Sequence, residues 1–276
     1  MSFSSRSRRG TLWCLLTICF LLFTHLSRMV YAQSSAGLVL YDNFDERFLS
    51  PLKWNTFGAC YTSNGKELEC VREIRDERLR LAHRTFGERE SDAGSQVGEA
   101  SLYFANPGAI KSITTGLVIR NTQESSCAAN PQYLGTRAHI HAIFFNSGSG
   151  NPNDDVGAQF VFGRSFSDPQ GQISVFSQIF QGNNYIGFIA LGTFYIGTPI
   201  TATVTWDQPN HQFIASWTNR ITQVKMQTTM PYSYADTTPA TDPSKRLSVV
   251  TFAANCTAQA DWAYIEADFD NVYIAD

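Results

Sequence analysis

The sequence predicts an exported all-β domain, and three observations carry that expectation. Apolar residues alternate with polar ones over many short stretches, with no stretch of convincing helical period. The N-terminus has the three-part layout of a secretory signal. Four cysteines lie beyond that segment, an even count suited to an oxidising compartment.

The chain opens with Arg6, Arg8 and Arg9, then an apolar run over residues 11–23, then the small-residue exit Val30, Tyr31, Ala32. The run is short of the roughly 20 apolar residues of a membrane span. Cleavage is expected after Ala32, which makes residues 1–32 a signal peptide and residues 33–276 one domain of 276 − 32 = 244 residues. That length suffices for one large core without a second domain. The leader contains four arginines and no acids, so the remainder has 21 − 4 = 17 basic and 24 acidic residues, a formal charge of −7. This balance disfavours nucleic acid and anionic membrane as partners, and no membrane role beyond export is expected.

Cys14 and Cys19 leave with the leader; Cys60, Cys70, Cys127 and Cys256 remain. Three pairings exist. The favoured one joins Cys60 to Cys70 around a loop holding Ser63, Asn64 and Gly65, and Cys127 to Cys256 across the fold. A zinc site is the rival, but no C-x-x-C spacing supports it.

The clearest strand is residues 200–207, where Ile200, Ala202, Val204 and Trp206 alternate with Thr201, Thr203, Thr205 and Asp207. A turn over 207–210 then leads to Phe213, Ala215 and Trp217, so a hairpin is expected. Similar strands are predicted near residues 38–44, 78–84, 113–120, 138–145, 157–162, 173–180, 247–253 and 261–274. So many strands at short spacing imply a sandwich or barrel.

Tyr41, Asp42, Asn43, Phe44 and Asp45, followed by Leu52, Lys53 and Trp54, open this series of strands, the 203–217 hairpin comes late in it, and Ala267, Phe269, Asp270, Asn271, Val272, Tyr273 and Ile274 close it. In that order they resemble the first strand and lysine-tryptophan step, the late hairpin and the closing strand of the concanavalin A-like lectin and glucanase superfamily. The resemblance implies an antiparallel jelly-roll β-sandwich of two sheets and a carbohydrate ligand, a polysaccharide or glycan. Glucanases of that family carry acids on a mid-chain strand, since a retaining glycosidase needs two carboxyl groups about 5 Å apart. The matching strand here, residues 157–164, has Gln159 and Val161 at those places, and neither can act as nucleophile or acid. A binding domain that does not cleave its ligand is therefore expected.

Glu266, Asp268 and Asp270 sit at alternate positions of the last strand and give the competing glycosidase reading, with Glu266 and Asp268 as catalysts. The bland reading is a solvated strand face. No cofactor is required by the sequence; Asp270 is the candidate ligand for a structural calcium, a cation that takes hard oxygen ligands. Candidate glycan contacts are Arg137, His139 and His141, expected on a wet face opposite Ala138, Ile140, Ala142 and Phe144, and Trp262 and Tyr264 beside Glu266 and Asp268. The H-x-H pair has no obvious third ligand for zinc. Faint echoes of polysaccharide-lyase motifs occur at Arg72–Arg75 and Gln178–Phe180, with Phe180 where the key histidine would stand, and a charged exposed hairpin over 72–84 is the simpler account. A structural or adhesive surface protein is the remaining alternative.

Overall fold

A computed structural model describes residues 37–55, 60–63, 69–131, 135–165 and 167–276. The expected signal peptide, residues 1–32, and Asn64 and Gly65 of the short cysteine loop lie outside them. Gly37–Asp276 form one compact unit.

The strands in chain order are β1 (Val39–Asp42), β2 (Trp54–Asn55), β3 (Cys60–Thr62), β4 (Glu69–Arg75), β5 (Arg78–Phe86), β6 (Ser95–Phe104), β7 (Ser112–Glu124), β8 (Thr136–Asn146) and β9 (Asp155–Arg164). They continue as β10 (Gln172–Gln181), β11 (Asn184–Tyr195), β12 (Ile200–Asp207), β13 (Gln212–Asn219), β14 (Lys225–Pro231), β15 (Thr238–Pro239), β16 (Lys245–Ala254) and β17 (Trp262–Ala275). They form an antiparallel jelly-roll sandwich. One sheet has eight strands in the order β14-β13-β12-β7-β17-β5-β4, with β1 added against β17. The other has nine, in the order β11-β10-β9-β8-β16-β6-β2, with β15 added against β8 and β3 against β6. Among the described residues no helix is long and apolar enough to cross a membrane.

Period-two alternation sends every second side chain of each sheet into one shared core. Ile140, Phe160, Val175 and Leu247 from the nine-stranded sheet meet Leu81, Leu117, Val204 and Phe269 from the eight-stranded sheet, all essentially inaccessible. The 200–219 hairpin forms in the expected register, Ile200 opposite Asn219 and Asp207 opposite Gln212. Its turn is a 3₁₀ segment, Gln208–Asn210, closed by His211 in the left-handed region (φ 48°).

The N-terminal motif fastens the two sheets together, because β1 belongs to one and β2 to the other. Asp42 accepts hydrogen bonds from the Trp54 indole (2.5 Å) and from the Phe44 amide (3.0 Å), and the Tyr41 hydroxyl donates to the Lys53 carbonyl. Trp54 packs on Phe44, Tyr41 and Phe104 with ring centroids 4.8–5.8 Å apart. The tryptophan's polar edge thus finds a buried partner while its ring fills the core.

Both favoured disulfides are present, Cys60–Cys70 with Cα atoms 6.1 Å apart and Cys127–Cys256 at 5.8 Å. Bonds of this kind belong to extracellular or lumenal compartments. Cys256 lies in the triplet Asn255-Cys256-Thr257, where Asn255 is 8 % exposed and accepts from the Glu88 amide while donating to the Ala93 carbonyl. In the folded chain this asparagine is closed to glycosylation.

Candidate functional site

The outer face of the nine-stranded sheet carries the polar residues that lack structural work elsewhere. Cross-strand register places Asn55, Tyr103, Arg246, His141, Gln159, Gln178 and Phe188 side by side, one from each of seven consecutive strands. At about 4.8 Å per strand this row is roughly 29 Å long. Ser101, Ser248, His139, Val161 and Phe176 form a second row, and Glu99, Val250, Arg137, Gly163 and Ser174 a third. Tyr103 and Arg246 also line a cavity of about 440 Å³ together with Asn55, Asp242 and Ser244.

Ala138, Ile140, Ala142 and Phe144 face the core as expected, but the opposite face of β8 is not wet. His139 is 1 % exposed and His141 7 %. Large neighbours in the same rows enclose them. Burial pushes the His139 imidazole down to about 4, with Glu99 partly opposing. His141 is lowered well below the usual histidine range, first by burial and then by the Arg246, His139 and Arg137 charges. Both rings are therefore neutral at pH 7. Gln159 Nε2 lies 2.8 Å from His141 Nδ1, so that nitrogen accepts and the ring proton sits on Nε2. The His141 ring stacks on Phe180 at 4.8 Å.

Glu99 is the one carboxylate in these three rows. Arg246 reaches along β16 over Ser248 to bring Nε within 2.8 Å of it, off the hydrogen-bond line, and His139 Nε2 lies 4.0 Å away. Burial works to raise the Glu99 carboxyl. His139, Arg246 and Ser248 outweigh it and hold the group down at about 2. Several buried polar atoms nearby have no protein hydrogen-bond partner: both ring nitrogens of His139, Oε1 of Gln159 and of Gln178, Oγ of Ser248 and Nε of Arg137. A lone orphan of this kind costs about 1–3 kcal/mol. Buried polar atoms of this kind are ordinarily satisfied by ordered water.

Trp262, Tyr264, Glu266 and Asp268 lie on the outer face of the other sheet, so the structure does not bring them together with His139 and His141. There the charges are matched. Glu266 accepts from Arg80 Nε (2.7 Å) and the Tyr264 hydroxyl (3.0 Å), Arg80 also binds Glu73 (2.8 Å), and Asp268 binds Arg120 Nε (2.6 Å). Arg84 lies over both the Trp262 and Tyr264 rings, 5.5 and 5.2 Å from their centroids, and pairs with Glu69 at 2.7 Å. Partial burial would raise the Glu266 carboxyl, but its hydrogen bonds hold it below the usual range. A general acid requires the reverse. The β4–β5 segment is the charged hairpin expected over 72–84, turning at Asp76 and Glu77 (φ 51° and 57°).

Asp270 lines a cavity of about 220 Å³ with Asp268, Arg78, Arg120 and Arg220. Three guanidiniums beside two carboxylates, one of them already bound by Arg120, do not fit a calcium ion, which needs six to eight oxygen ligands. The one close triad of metal-ligating residue types among the described residues is Asp92, Cys127 and Cys256, whose sulfurs form the disulfide. His83 faces the core against Thr251 (3.0 Å) and His211 pairs with Asp236 (3.0 Å), so neither adds a third ligand to the H-x-H pair.

No protein-family model matches the sequence, and no curated protein matches it. Among solved structures, lectin II from Ulex europaeus is similar over 83 % of this chain and 98 % of its own, at 10 % identity and a TM-score of 0.40. The exoplasmic/lumenal domain of VIP36, in a Ca²⁺/Man3GlcNAc-bound form, covers 85 % and 90 % at 7 % identity and 0.41. A GlcNAcα1-4Gal releasing endo-β-galactosidase from Clostridium perfringens covers 87 % and 64 % at 6 % identity and 0.43. These are jelly-roll proteins of the concanavalin A-like kind. At such TM-scores the likeness carries no argument about ligand or activity, which must come from the residues above.

Glu99, Ser248, Arg246 and Tyr103 escaped the sequence reading. The signal for them existed: Ala100, Leu102 and Phe104, and Leu247 and Val249, alternate with these polar residues in two strands that pair with each other.

Proposed function

We propose that the outer face of the nine-stranded sheet binds carbohydrate, as an exported domain that does not cleave its ligand. The supporting observation is the unbroken row from Asn55 to Phe188, which combines planar hydrogen-bonding groups with rings across seven strands. Sugars offer hydroxyls to groups of the first kind and apolar faces to the second. Asn55 and Phe188 are exposed and Tyr103, Arg246 and Gln178 half-buried, so the row presents amide, guanidinium and ring groups to a ligand. Cleavage is disfavoured by charge. Either class of glycosidase needs a pair of carboxyl groups, about 5–5.5 Å apart for retention or 6.5–9.5 Å for inversion. Glu99 is ionised and committed to Arg246, so it cannot serve as the general acid.

The test is depletion of the purified protein from solution by a panel of insoluble polysaccharides, with reducing ends assayed in the same tubes. Depletion by at least one polymer without new reducing ends is expected. Tyr103→Ala and Gln178→Ala should each weaken it about tenfold, the loss of one or two hydrogen bonds or a ring contact, while Trp262→Ala leaves it unchanged. New reducing ends would overturn the non-hydrolytic reading, and loss of depletion in the Trp262 variant alone would move the site to the other sheet.

A further inference from the structure

Among the described residues the three rows carry two guanidiniums and one carboxylate, and the carboxylate is already taken. Glu99 is held by Arg246 at 2.8 Å. Arg137 has no carboxylate within 4.0 Å among the described residues. Its guanidinium lies over the Phe252 ring, 4.8 Å from the centroid, its Nε has no hydrogen-bond partner, it donates to the Tyr185 hydroxyl, and Glu99 acts on it only from beyond 4.0 Å. In register with it stand Val250 on one side and Gly163 on the other, one apolar and one with no side chain. The two neighbouring histidines are buried and neutral, so they neither repel nor replace a bound anion.

An arginine enclosed in this way keeps its charge, since guanidinium does not deprotonate in proteins. It has lost much of its water without gaining a counter-ion, an arrangement that is unfavourable until an anion arrives. Phe252 supplies a flat platform under the guanidinium, whose two terminal nitrogens form a fork of donors. Carboxylate and sulfate both match that fork.

We infer that the glycan bound on this face is anionic, bearing a carboxylate or a sulfate ester, and that Arg137 is the residue that receives the anionic group. This rests on the carbohydrate reading above and narrows it. It runs against the net charge of the chain, −3 overall, so unspecific attraction to polyanions would not produce it.

Matched polymer pairs test it. Binding of the purified protein is measured by calorimetry to alginate and carboxyl-reduced alginate, and to dextran sulfate and dextran, at fixed ionic strength. At least one anionic polymer should bind tenfold or more tighter than its neutral partner, and which pair shows the preference distinguishes carboxylate from sulfate. Arg137→Gln should erase the preference while residual neutral binding persists, and Arg137→Lys, which keeps the charge and loses the fork, should restore part of it. Equal binding within both pairs by the unmutated protein would overturn the inference and leave the carbohydrate reading standing, as would an Arg137→Gln variant that retains the full preference. Failure to bind any of the four polymers, or any in the insoluble panel, would overturn both.

Discussion

Replacing Glu99 with alanine removes the counter-charge of a guanidinium that is only 18 % exposed, and the size of the loss can be reached in two ways. Breaking one side of a buried pair costs about 3–5 kcal/mol, most of it from the charge left behind. Independently, the carboxyl is held at about 2 against an ordinary 4.5, and this depression corresponds to about 3 kcal/mol of native-state stability. Because the folded value lies below the unfolded one, that stability is fully present above pH 4.5 and disappears as the pH falls through 2. Urea unfolding at pH 7 should therefore show Glu99→Ala less stable by about 3–4 kcal/mol, and the deficit should shrink toward pH 2. Arg246→Met should be comparably damaging, since it strands the acid. The double variant Glu99→Ala with Arg246→Met should recover much of the loss, since it leaves neither charge stranded. Strict additivity of the two single variants, within about 0.5 kcal/mol, would refute the pairing. So would a Glu99→Ala deficit that is the same at pH 2 as at pH 7.

Two further predictions concern the scaffold. In the chain-entropy account, the Cys127–Cys256 link, with a separation of 129, contributes about 5 kcal/mol and the Cys60–Cys70 link, with a separation of 10, about 3 kcal/mol. Double-alanine replacement of each pair, followed by equilibrium denaturation, should rank the losses in that order; the reverse ranking would reject the loop-length account for this fold. Glu124 behaves oppositely to Glu99. Burial raises its carboxyl to about 7, against the Thr136 hydrogen bond (2.8 Å) and Arg164 (3.7 Å) and with help from Asp168 and Asp261. Its folded value exceeds the unfolded one, so its contribution is complete below pH 4.5 and is lost as the pH rises through 7, by up to about 3 kcal/mol. Glu124→Gln should flatten the stability curve in that window, and a wild-type curve already flat there would contradict the assignment.

The architecture was legible because one buried face imposes period two on each strand, and the pattern of Ile200 to Asp207 is enough to fix its hairpin partner. The cysteine pairing was legible for the same kind of reason, since a short loop and a long one divide four cysteines in few ways. β11 was not legible. Tyr185, Ile186, Phe188 and Ile189 on this edge strand are all substantially exposed, and the strand's buried residues, Leu191 and Phe194, are three apart, so no alternation marks it. The two register shifts against β10 blur it further. For the site, sequence located His139 and His141 but assigned them to solvent, because burial on an outer face depends on neighbours in other strands. Glu99 and Arg246 enclose them from β6 and β16, and no local pattern joins residues so far apart in the chain.

The two outer faces use ionisable residues to opposite ends. On the eight-stranded sheet Glu69, Glu73, Glu266 and Asp268 each have an arginine, and the tryptophan and tyrosine that might have stacked on a sugar are covered by Arg84. Such a face is already saturated; a ligand would have to displace ion pairs to bind, and exposed pairs of this kind give little in return. On the nine-stranded sheet the same residue types are fewer and unbalanced, and amide, imidazole and hydroxyl atoms are left without partners. A ligand there would meet the exposed Asn55 and Phe188 and the half-buried Tyr103 and Gln178 with a single ion pair, Arg246–Glu99, to compete against, so binding would displace fewer charge pairs than on the other sheet.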